Sequence, residues 1–166
     1  MSHPWRCLSD VDWASWKPVV PATLVFAQVA GRVLLIRKKR GLGAGKINGP
    51  GGKVEPGEAP EACAMREVQE ELHVLPVGLE PVGEHRFQFV DGYAIYVTVY
   101  LARGIAGEPR ETDEATPLWF TPDEIPYDEM WEDDRLWLPH VLEGGHTRGR
   151  YLFDGDHMLD YALELL

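Results

Sequence analysis

A glycine-rich stretch in the first third of the chain sets the tightest limit on local structure. GLGAGKINGPGG, residues 41–52, has six glycines and one proline in twelve residues. Glycine loses the most backbone freedom in a regular element, and proline has no amide hydrogen to donate. The stretch is therefore predicted to be a loop in which backbone segments approach one another closely.

A helix is predicted after this loop, over residues 59–72. Pro60 suits the first helical turn, where a missing amide hydrogen costs nothing. The apolar positions at helical spacing form a core-facing stripe of Ala64, Met65, Val68 and Leu72. Glu67, Glu70 and Glu71 share the opposite face, where like charges destabilise a helix by about 0.2 to 0.5 kcal/mol per pair. This acidic face needs either full solvation or a cation.

The remaining pattern predicts hairpins and one further helix. Turn signals between short β-prone runs predict hairpins centred on residues 30–31, 91–92 and 154–156. LDYALELL, residues 159–166, is compatible with a helix as well as with the last strand. RLWLPHVLEGG, residues 135–145, is predicted to be helical, with a break or start at Pro139. The total is a mixed sheet of hairpins with two helices, an α/β sandwich.

Length and charge limit the class of function. The 166 residues suffice for one domain with a hydrophobic core, predicted over residues 21–166. Residues 1–20 carry three tryptophans and form an N-terminal extension to which we assign no chemistry. The net charge of -11 disfavours nonspecific attraction to long nucleic acids or anionic membranes. An anionic substrate would therefore need a cation as mediator.

Cysteine usage and hydropathy bear on the compartment. Cys7 and Cys63 lie far apart without CxxC spacing, so neither a disulfide framework nor a zinc site is predicted, and a cytoplasmic location fits. The N-terminus has no signal pattern, and the most apolar run, VVPATLVFAQVA, is too short and interrupted to span a bilayer. We expect neither export nor membrane insertion.

The glutamates belong to a longer pattern of fixed spacing. Gly52 is followed by five residues and Glu58, then by seven residues and REVQEELHV, which begins at Arg66. This pattern resembles the box of the Nudix family, GX5EX7REUXEEXGU with U aliphatic, and departs from it only at His73, which replaces the last glycine. Histidine makes a left-handed helix end more costly. The resemblance implies a Nudix-type α/β/α sandwich with a mixed sheet, two main helices and several hairpins.

The resemblance also implies a divalent cation, Mg²⁺ with Mn²⁺ as a substitute, which bridges carboxylates and substrate phosphates. The implied metal ligands are the Gly52 carbonyl, Glu67, Glu70 and Glu71. The implied catalytic residues are Arg66, Glu67, Glu70 and Glu114. Arg66 is expected to pair with a box glutamate and fix its orientation. Water is the nucleophile, and either a box glutamate or Glu114 accepts its proton.

Segments that flank the box, the first of which overlaps its start, are similar to the MutT-homologue branch of the family, which hydrolyses oxidised purine nucleoside triphosphates. They are KKRGLGAGKINGPGGKVEPGE, RFQFV, TDEATPLWFTPDEIPYDEMWEDDRLWLP and RYLFDGDHMLDYAL. The similarity implies a substrate-binding set of Lys38, Asn48, Phe87, Trp131, Asp133 and Asp134. Two crowded carboxyls can hold one proton between them, so one can donate and the other accept a hydrogen bond to match the altered edge of an oxidised purine. Leu42 and Ile47 stand where that branch has aromatic residues, and we expect them to alter the pocket walls.

Ordinary structural roles remain open for the same residues. Asp133 and Asp134 also suit a helix N-terminus, Asn48 a turn, and Lys38 a solvated strand end. Trp131 and Phe87 also suit the hydrophobic core.

The expected function is Mg²⁺-dependent hydrolysis of purine nucleoside triphosphates, the oxidised forms preferred, to monophosphate and pyrophosphate. The alternatives are a Nudix pyrophosphatase acting on a dinucleoside polyphosphate, nucleotide sugar or capped RNA end, and a noncatalytic nucleotide-binding module. An interaction protein that docks a partner through its tryptophan-rich N-terminus is a third possibility, compatible with catalysis. The expected partner is a nucleotide, with no long nucleic acid and no membrane, and the expected state is a monomer or small homo-oligomer.

Overall fold

The computed structural model describes residues 5–166, in which two helices and eleven strands are found. The strands are β1 (Val20–Val29), β2 (Arg32–Lys38), β3 (Ile47–Asn48), β4 (Gly51–Lys53), β5 (Leu75–Val77), β6 (Glu80–Phe89), β7 (Ala94–Ala102), β8 (Gly104–Ala106), β9 (Ala115–Phe120), β10 (Thr147–Asp154) and β11 (His157–Leu165). The helices are α1 (Pro60–Leu72) and α2 (Asp134–Leu142). Short 3-10 helices lie at Leu8–Asp10, Pro122–Glu124 and Tyr127–Glu129. Within the described chain, no helix is long and apolar enough to cross a membrane.

Nine strands form one mixed sheet in the order β11-β10-β6-β7-β1-β2-β3, with β4 added on β1 and β9 on β2. The pairs β1–β7 and β6–β10 are parallel, and the other pairs of this sheet are antiparallel. The predicted mixed sheet and its three hairpins are confirmed. The helical alternative for residues 159–166 is wrong, because the turn at Gly155 (φ 59°) returns the chain along β10 and its backbone pairs there.

The prediction that residues 41–52 contain no regular structure is wrong for two short segments. β3 pairs with β2, and β4 pairs with β1, so tertiary pairing supplies hydrogen bonds that local propensity does not. Glycine is required at Gly51, where the backbone of β1 comes so close that a Cβ would overlap the Thr23 carbonyl oxygen. The glycines therefore serve the close approach that the sequence indicated, inside a ladder as well as in a loop.

The two helices cover opposite faces of the sheet. Alternate residues of β1 show this, because Phe26 packs in the core cluster that includes Trp137 of α2. Its neighbour Val25 packs in the cluster that includes Val68 and Leu72 of α1. Side chains of successive strand residues point to opposite faces, so the architecture is the predicted α/β/α sandwich.

The N-terminal segment, residues 5–19, packs against the outer face of β6, β10 and β11. The Leu8 amide donates a hydrogen bond to Asp160 (2.8 Å), and the Arg150 guanidinium lies over the ring of Trp13 (5.5 Å). Three successive residues of β10, Tyr151 to Phe153, are fully buried, which requires cover on both faces of that strand. The segment supplies cover on the face opposite α2.

Candidate active site

A cavity of about 350 Å³ opens on the sheet between the glycine-rich stretch and the start of α2. The residues expected at the site that line it are Lys38, Asn48, Gly52, Glu71, Phe87, Trp131, Asp133 and Asp134. The expected residues outside the lining are Arg66, Glu67, Glu70 and Glu114. Segments more than 80 residues apart in the chain thus meet around one concave surface.

The aspartate pair at the start of α2 is the most unusual feature of the cavity wall. Asp133 and Asp134 are each 2% exposed. Asp133 Oδ2 accepts a hydrogen bond from Trp137 Nε1 (2.8 Å), whereas Asp133 Oδ1 and Asp134 Oδ2 have no partner among residues 5–166. Asp133 occupies the N-cap position, but its side chain makes no capping hydrogen bond. These carboxyls therefore lack the contacts that a purely structural helix-terminal role would give them.

Burial controls the ionisation of this pair. Removal from water raises the pKa of Asp133 and of Asp134, and the charge of Asp133 raises that of Asp134 further. The indole N–H of Trp137 opposes the rise at Asp133, because it stabilises the ionised form. Burial therefore favours a protonated carboxyl in this pair.

Aromatic residues form the adjacent walls. Trp131 contacts Phe153 edge-on at a centroid distance of 5.6 Å, and the Lys46 ammonium lies 5.3 Å from its ring centroid. Phe87 lines the cavity and also stacks on the core residue Tyr151, with ring centroids 4.8 Å apart. The backbone amide of Gly49 donates to Asn48 Oδ1 (2.8 Å), which holds the Asn48 amide in a turn at the cavity wall.

Other walls were not anticipated from the sequence. The unpredicted lining residues include Val20, Leu24, Lys53, Tyr93, Ile95 and Val97. Most lie on β1 and β7, whose parallel pairing has no local signal. Leu42 lines the cavity as expected, whereas Ile47 is 1% exposed inside the hydrophobic core and does not belong to the lining.

Arg66 organises the carboxylates beside the cavity. Its guanidinium donates to Glu58 (2.8 Å from Nε) and to Glu67 (2.9 Å from Nη1), and its Nη1 lies 3.3 Å from Glu70. Glu67 is mostly buried, with a side chain 14% exposed, and Glu70 is half exposed at 49%. Glu114 lies outside this group and pairs with Arg40 (2.9 Å).

The expectation that Glu67, Glu70 and Glu71 share one face opposite the apolar stripe is wrong for Glu71. Glu71 is 3% exposed, and its Oε1 accepts a hydrogen bond from the Gly51 amide (2.9 Å). Glu71 follows Val68 by three residues, so it lies at the edge of the stripe and is carried into the sheet contact. In the part of the chain from residue 5 onward, no three acidic, histidine or cysteine side chains are placed to hold a metal ion. Glu67 and Glu70 bond to Arg66, whereas Glu71 bonds to the Gly51 amide.

The donor set nevertheless fits a divalent cation. Burial raises the pKa of Glu71 to about 8 and also raises that of Glu67, with further increases from neighbouring carboxylates. Such a group of hard oxygen donors carries excess negative charge that a divalent cation would relieve. The missing side chain at Gly52 leaves room for it, since a Cβ there would lie 2.6 Å from Glu67 Oε2.

The mixed sheet between two helices, with a glutamate-bearing helix beside a glycine-rich stretch, defines a Nudix domain. The family model for the NUDIX domain matches residues 17–141, and the chain belongs to this family of hydrolases. Nudix hydrolases generally use divalent cations, and their substrates are nucleotides and nucleotide derivatives.

Within this family, the chain is similar to several individual proteins. The chain is 42% identical over 149 residues to the oxidized purine nucleoside triphosphate hydrolase of Danio rerio. The aligned region covers 86% of this chain and 96% of the relative. The chain is 41% identical over 143 residues to the hydrolase of the same name from Mus musculus, with coverages of 85% and 92%. The crystal structure of the MutT protein from Bacillus halodurans superposes with a TM-score of 0.79 at 25% identity, covering 88% of this chain and 98% of that one.

Proposed function

We propose that this Nudix hydrolase cleaves purine nucleoside triphosphates, with a preference for oxidised purines, to the monophosphate and pyrophosphate. Mg²⁺ is the proposed cation, and Mn²⁺ a substitute. The two free cysteines, Cys7 and Cys63, are compatible with action on the nucleotide pool of the cytoplasm.

The buried aspartate pair is the observation that carries this proposal. A protonated carboxyl donates a hydrogen bond and an ionised one accepts, so Asp133 and Asp134 together offer both groups to one edge of a base. Oxidation of a purine changes the donor and acceptor pattern of that edge. If one proton moves between the two carboxyls, the donor and the acceptor exchange places, so the unsatisfied oxygens of the pair can match either pattern.

The rest of the cavity supports a nucleotide placed with its base at this pair. Trp131 presents an aromatic wall for stacking, which contributes about 1 to 3 kcal/mol per base in comparable sites. Lys38 lines the cavity close enough to Glu71 and Glu67 for their charges to act on it, although burial lowers the pKa of its ammonium. We assign Lys38 to the phosphate chain, which then extends from the base pocket toward α1.

The carboxylates of α1 supply the hydrolytic end of the site. The Gly52 carbonyl, Glu67, Glu70 and Glu71 are the residues that would hold Mg²⁺. When bound, the ion would polarise the phosphates and lower the pKa of water. Arg66 holds Glu67 in position. A carboxylate of α1 or Glu114 accepts the proton of the attacking water.

A substrate panel tests the proposal. The protein is incubated with Mg²⁺ and with 8-oxo-dGTP, 2-oxo-dATP, dGTP, dATP, a dinucleoside polyphosphate or a nucleotide sugar, and the products are identified. The expected result is fastest turnover of an oxidised triphosphate to monophosphate and pyrophosphate, abolished by EDTA. Preference for a dinucleoside polyphosphate or nucleotide sugar would support the alternative pyrophosphatase. Absence of turnover on every compound would support the noncatalytic binding module, although a module has no need of the Arg66 and glutamate network.

A further inference from the structure

The turn between β6 and β7 forms one rim of the cavity. Phe89 precedes the turn, Tyr93 follows it, and both line the cavity. The Phe89 amide donates to the Tyr93 carbonyl (2.8 Å), and the Gly92 amide donates to the Phe89 carbonyl (3.0 Å). The position of these two aromatic walls therefore depends on how firmly this turn is held.

Gln88 clamps the turn from the opposite face of the sheet. Its side chain points away from Phe87 and Phe89 because successive strand residues alternate, yet it is only 5% exposed. The amide nitrogen donates to the Phe89 carbonyl (2.9 Å) and to the Tyr93 carbonyl (3.2 Å), which uses both of its hydrogens. One side-chain amide thus ties the end of β6 to the residue that precedes β7, behind the cavity wall.

Trp16 fixes the clamp. Its Nε1 donates a hydrogen bond to Gln88 Oε1 (2.9 Å), the one oxygen of that amide, and so sets the orientation of the NH₂ group toward the turn. The chain then continues along the same wall, where the Val19 amide donates to the Ala94 carbonyl (2.7 Å). The next residue, Val20, lines the cavity itself. The N-terminal segment is therefore bonded to the cavity wall on both sides of the turn.

We infer that Trp16 and Gln88 are positioning residues for the base pocket, through which the N-terminal segment sets the placement of Phe89 and Tyr93 and hence the affinity for the nucleobase. The inference rests on the proposed function, since it assumes that a base occupies this end of the cavity. Trp16 is not among the residues that line the cavity, so its effect passes through Gln88 and the turn.

A matched pair of tryptophan variants tests this inference. Trp16→Phe keeps an aromatic ring but removes the N–H donor to Gln88. Trp13→Phe is the control, because Trp13 lies in the same segment and its N–H donates to the Leu8 carbonyl within that segment (2.9 Å). We expect Trp16→Phe to raise KM for the preferred triphosphate about 3- to 10-fold and to change kcat by less than about 2-fold, since one net hydrogen bond is at stake. Affinity for inorganic tripolyphosphate, which has no base, should not change, and Trp13→Phe should behave as wild type.

Hydrogen exchange provides a readout independent of turnover. In Trp16→Phe, and more strongly in Gln88→Leu, the amides of Phe89 and Gly92 should exchange faster than in wild type, while Trp13→Phe leaves them unchanged. Equal KM and equal exchange in Trp16→Phe and Trp13→Phe would overturn the inference alone. Equal weakening of nucleotide and tripolyphosphate binding would also overturn it, because the effect would then not concern the base. Failure of the wild-type protein to bind any nucleoside triphosphate would overturn the proposed function together with it.

Discussion

At the residue scale, Arg66 holds the carboxylates beside the cavity, because it bonds to Glu58, Glu67 and Glu70. Its hydrogen bonds lower the pKa of Glu58 to about 2, and they counteract the burial that raises the pKa of Glu67. One guanidinium with several donors can hold carboxylates at fixed angles, which a lysine ammonium cannot do. The acids are thereby oriented before any cation binds.

The proposed metal-binding role of Glu70 gives the first prediction. We expect Glu70→Gln to lower kcat about 100-fold or more, because it removes one anionic oxygen ligand from the proposed cation site. Its side chain is half exposed and contributes little to the core, so the melting temperature and helicity should barely move. The control is Glu61→Gln on an exposed position of the same helix, which should retain activity. Near wild-type turnover of Glu70→Gln at saturating Mg²⁺ would contradict the proposed ligand set.

The aspartate pair gives a prediction about discrimination. Asparagine at Asp133 or Asp134 keeps size and hydrogen-bonding capacity but fixes the donor and acceptor pattern. We expect kcat/KM for the preferred oxidised purine to fall about 5- to 150-fold, which corresponds to about 1 to 3 kcal/mol. Poor substrates should lose far less, and the Mg²⁺ requirement should stay the same. Kinetics on 8-oxo-dGTP, 2-oxo-dATP, dGTP and dATP provide the comparison, and equal losses on all four would remove the pair from base recognition.

At the element scale, local signals predicted α1 and the hairpins, because periodicity, Pro60 and turn dipeptides act over a few residues. The parallel pairs β1–β7 and β6–β10 join segments far apart in the chain, and no local pattern encodes them. The same division holds for the site. Fixed spacing predicts Glu67 and Glu70 as site residues, which lie on α1 beside the cavity, whereas Lys53 and Tyr93 reach the cavity through the order of strands in the sheet.

The end of α1 supports a prediction about stability. His73 adopts the left-handed conformation expected for the glycine it replaces (φ 61°, ψ 30°), and its amide still donates to the Gln69 carbonyl. A side chain is disfavoured in this conformation, so His73→Gly should stabilise the protein by about 1 kcal/mol and raise Tm by about 2 to 4 °C. His73→Ala retains a Cβ and should show no such gain. Thermal unfolding of the wild type, His73→Gly and His73→Ala measures this difference. A lower Tm for the glycine variant would show that His73 makes a stabilising contact.

At the scale of the whole molecule, buried ionisable groups link stability to pH. The charged forms of His85 and of the aspartate pair are both penalised by burial, but with opposite pH dependence. Burial lowers the pKa of His85 to about 3, so unfolding is favoured as the pH falls below its ordinary value of 6.5. The neutral imidazole is held between Tyr151 (2.8 Å) and Thr147 (3.0 Å).

The aspartate pair should produce the opposite slope. Its pKa values are raised above 3.8, so above that pH the folded state binds more protons than the unfolded state, and the free energy of unfolding falls as the pH rises. Replacing both Asp133 and Asp134 by asparagine removes this loss. The difference in Tm between the double variant and wild type should therefore increase from pH 4 to pH 8. The exposed Asp123→Asn variant is the control and should show no trend, and a constant difference for the double variant would contradict the raised pKa values.

The parallel pairing of β6 with β10 also affects how the protein folds during synthesis. It places Phe87 opposite Tyr151, although residues 88–150 lie between them in the chain. Contacts between such distant segments slow folding, because a long loop must close before they form. During synthesis from the N-terminus, α1 with its glutamates is complete well before β10 emerges. Until then β6 has an unpaired edge, and the cavity residues Phe87 and Trp131 lack the rings of Tyr151 and Phe153 that pack against them. The last two strands therefore complete the sheet and the aromatic packing behind the cavity wall, and a chain that ended before them would leave the edge of β6 open to pairing with other chains.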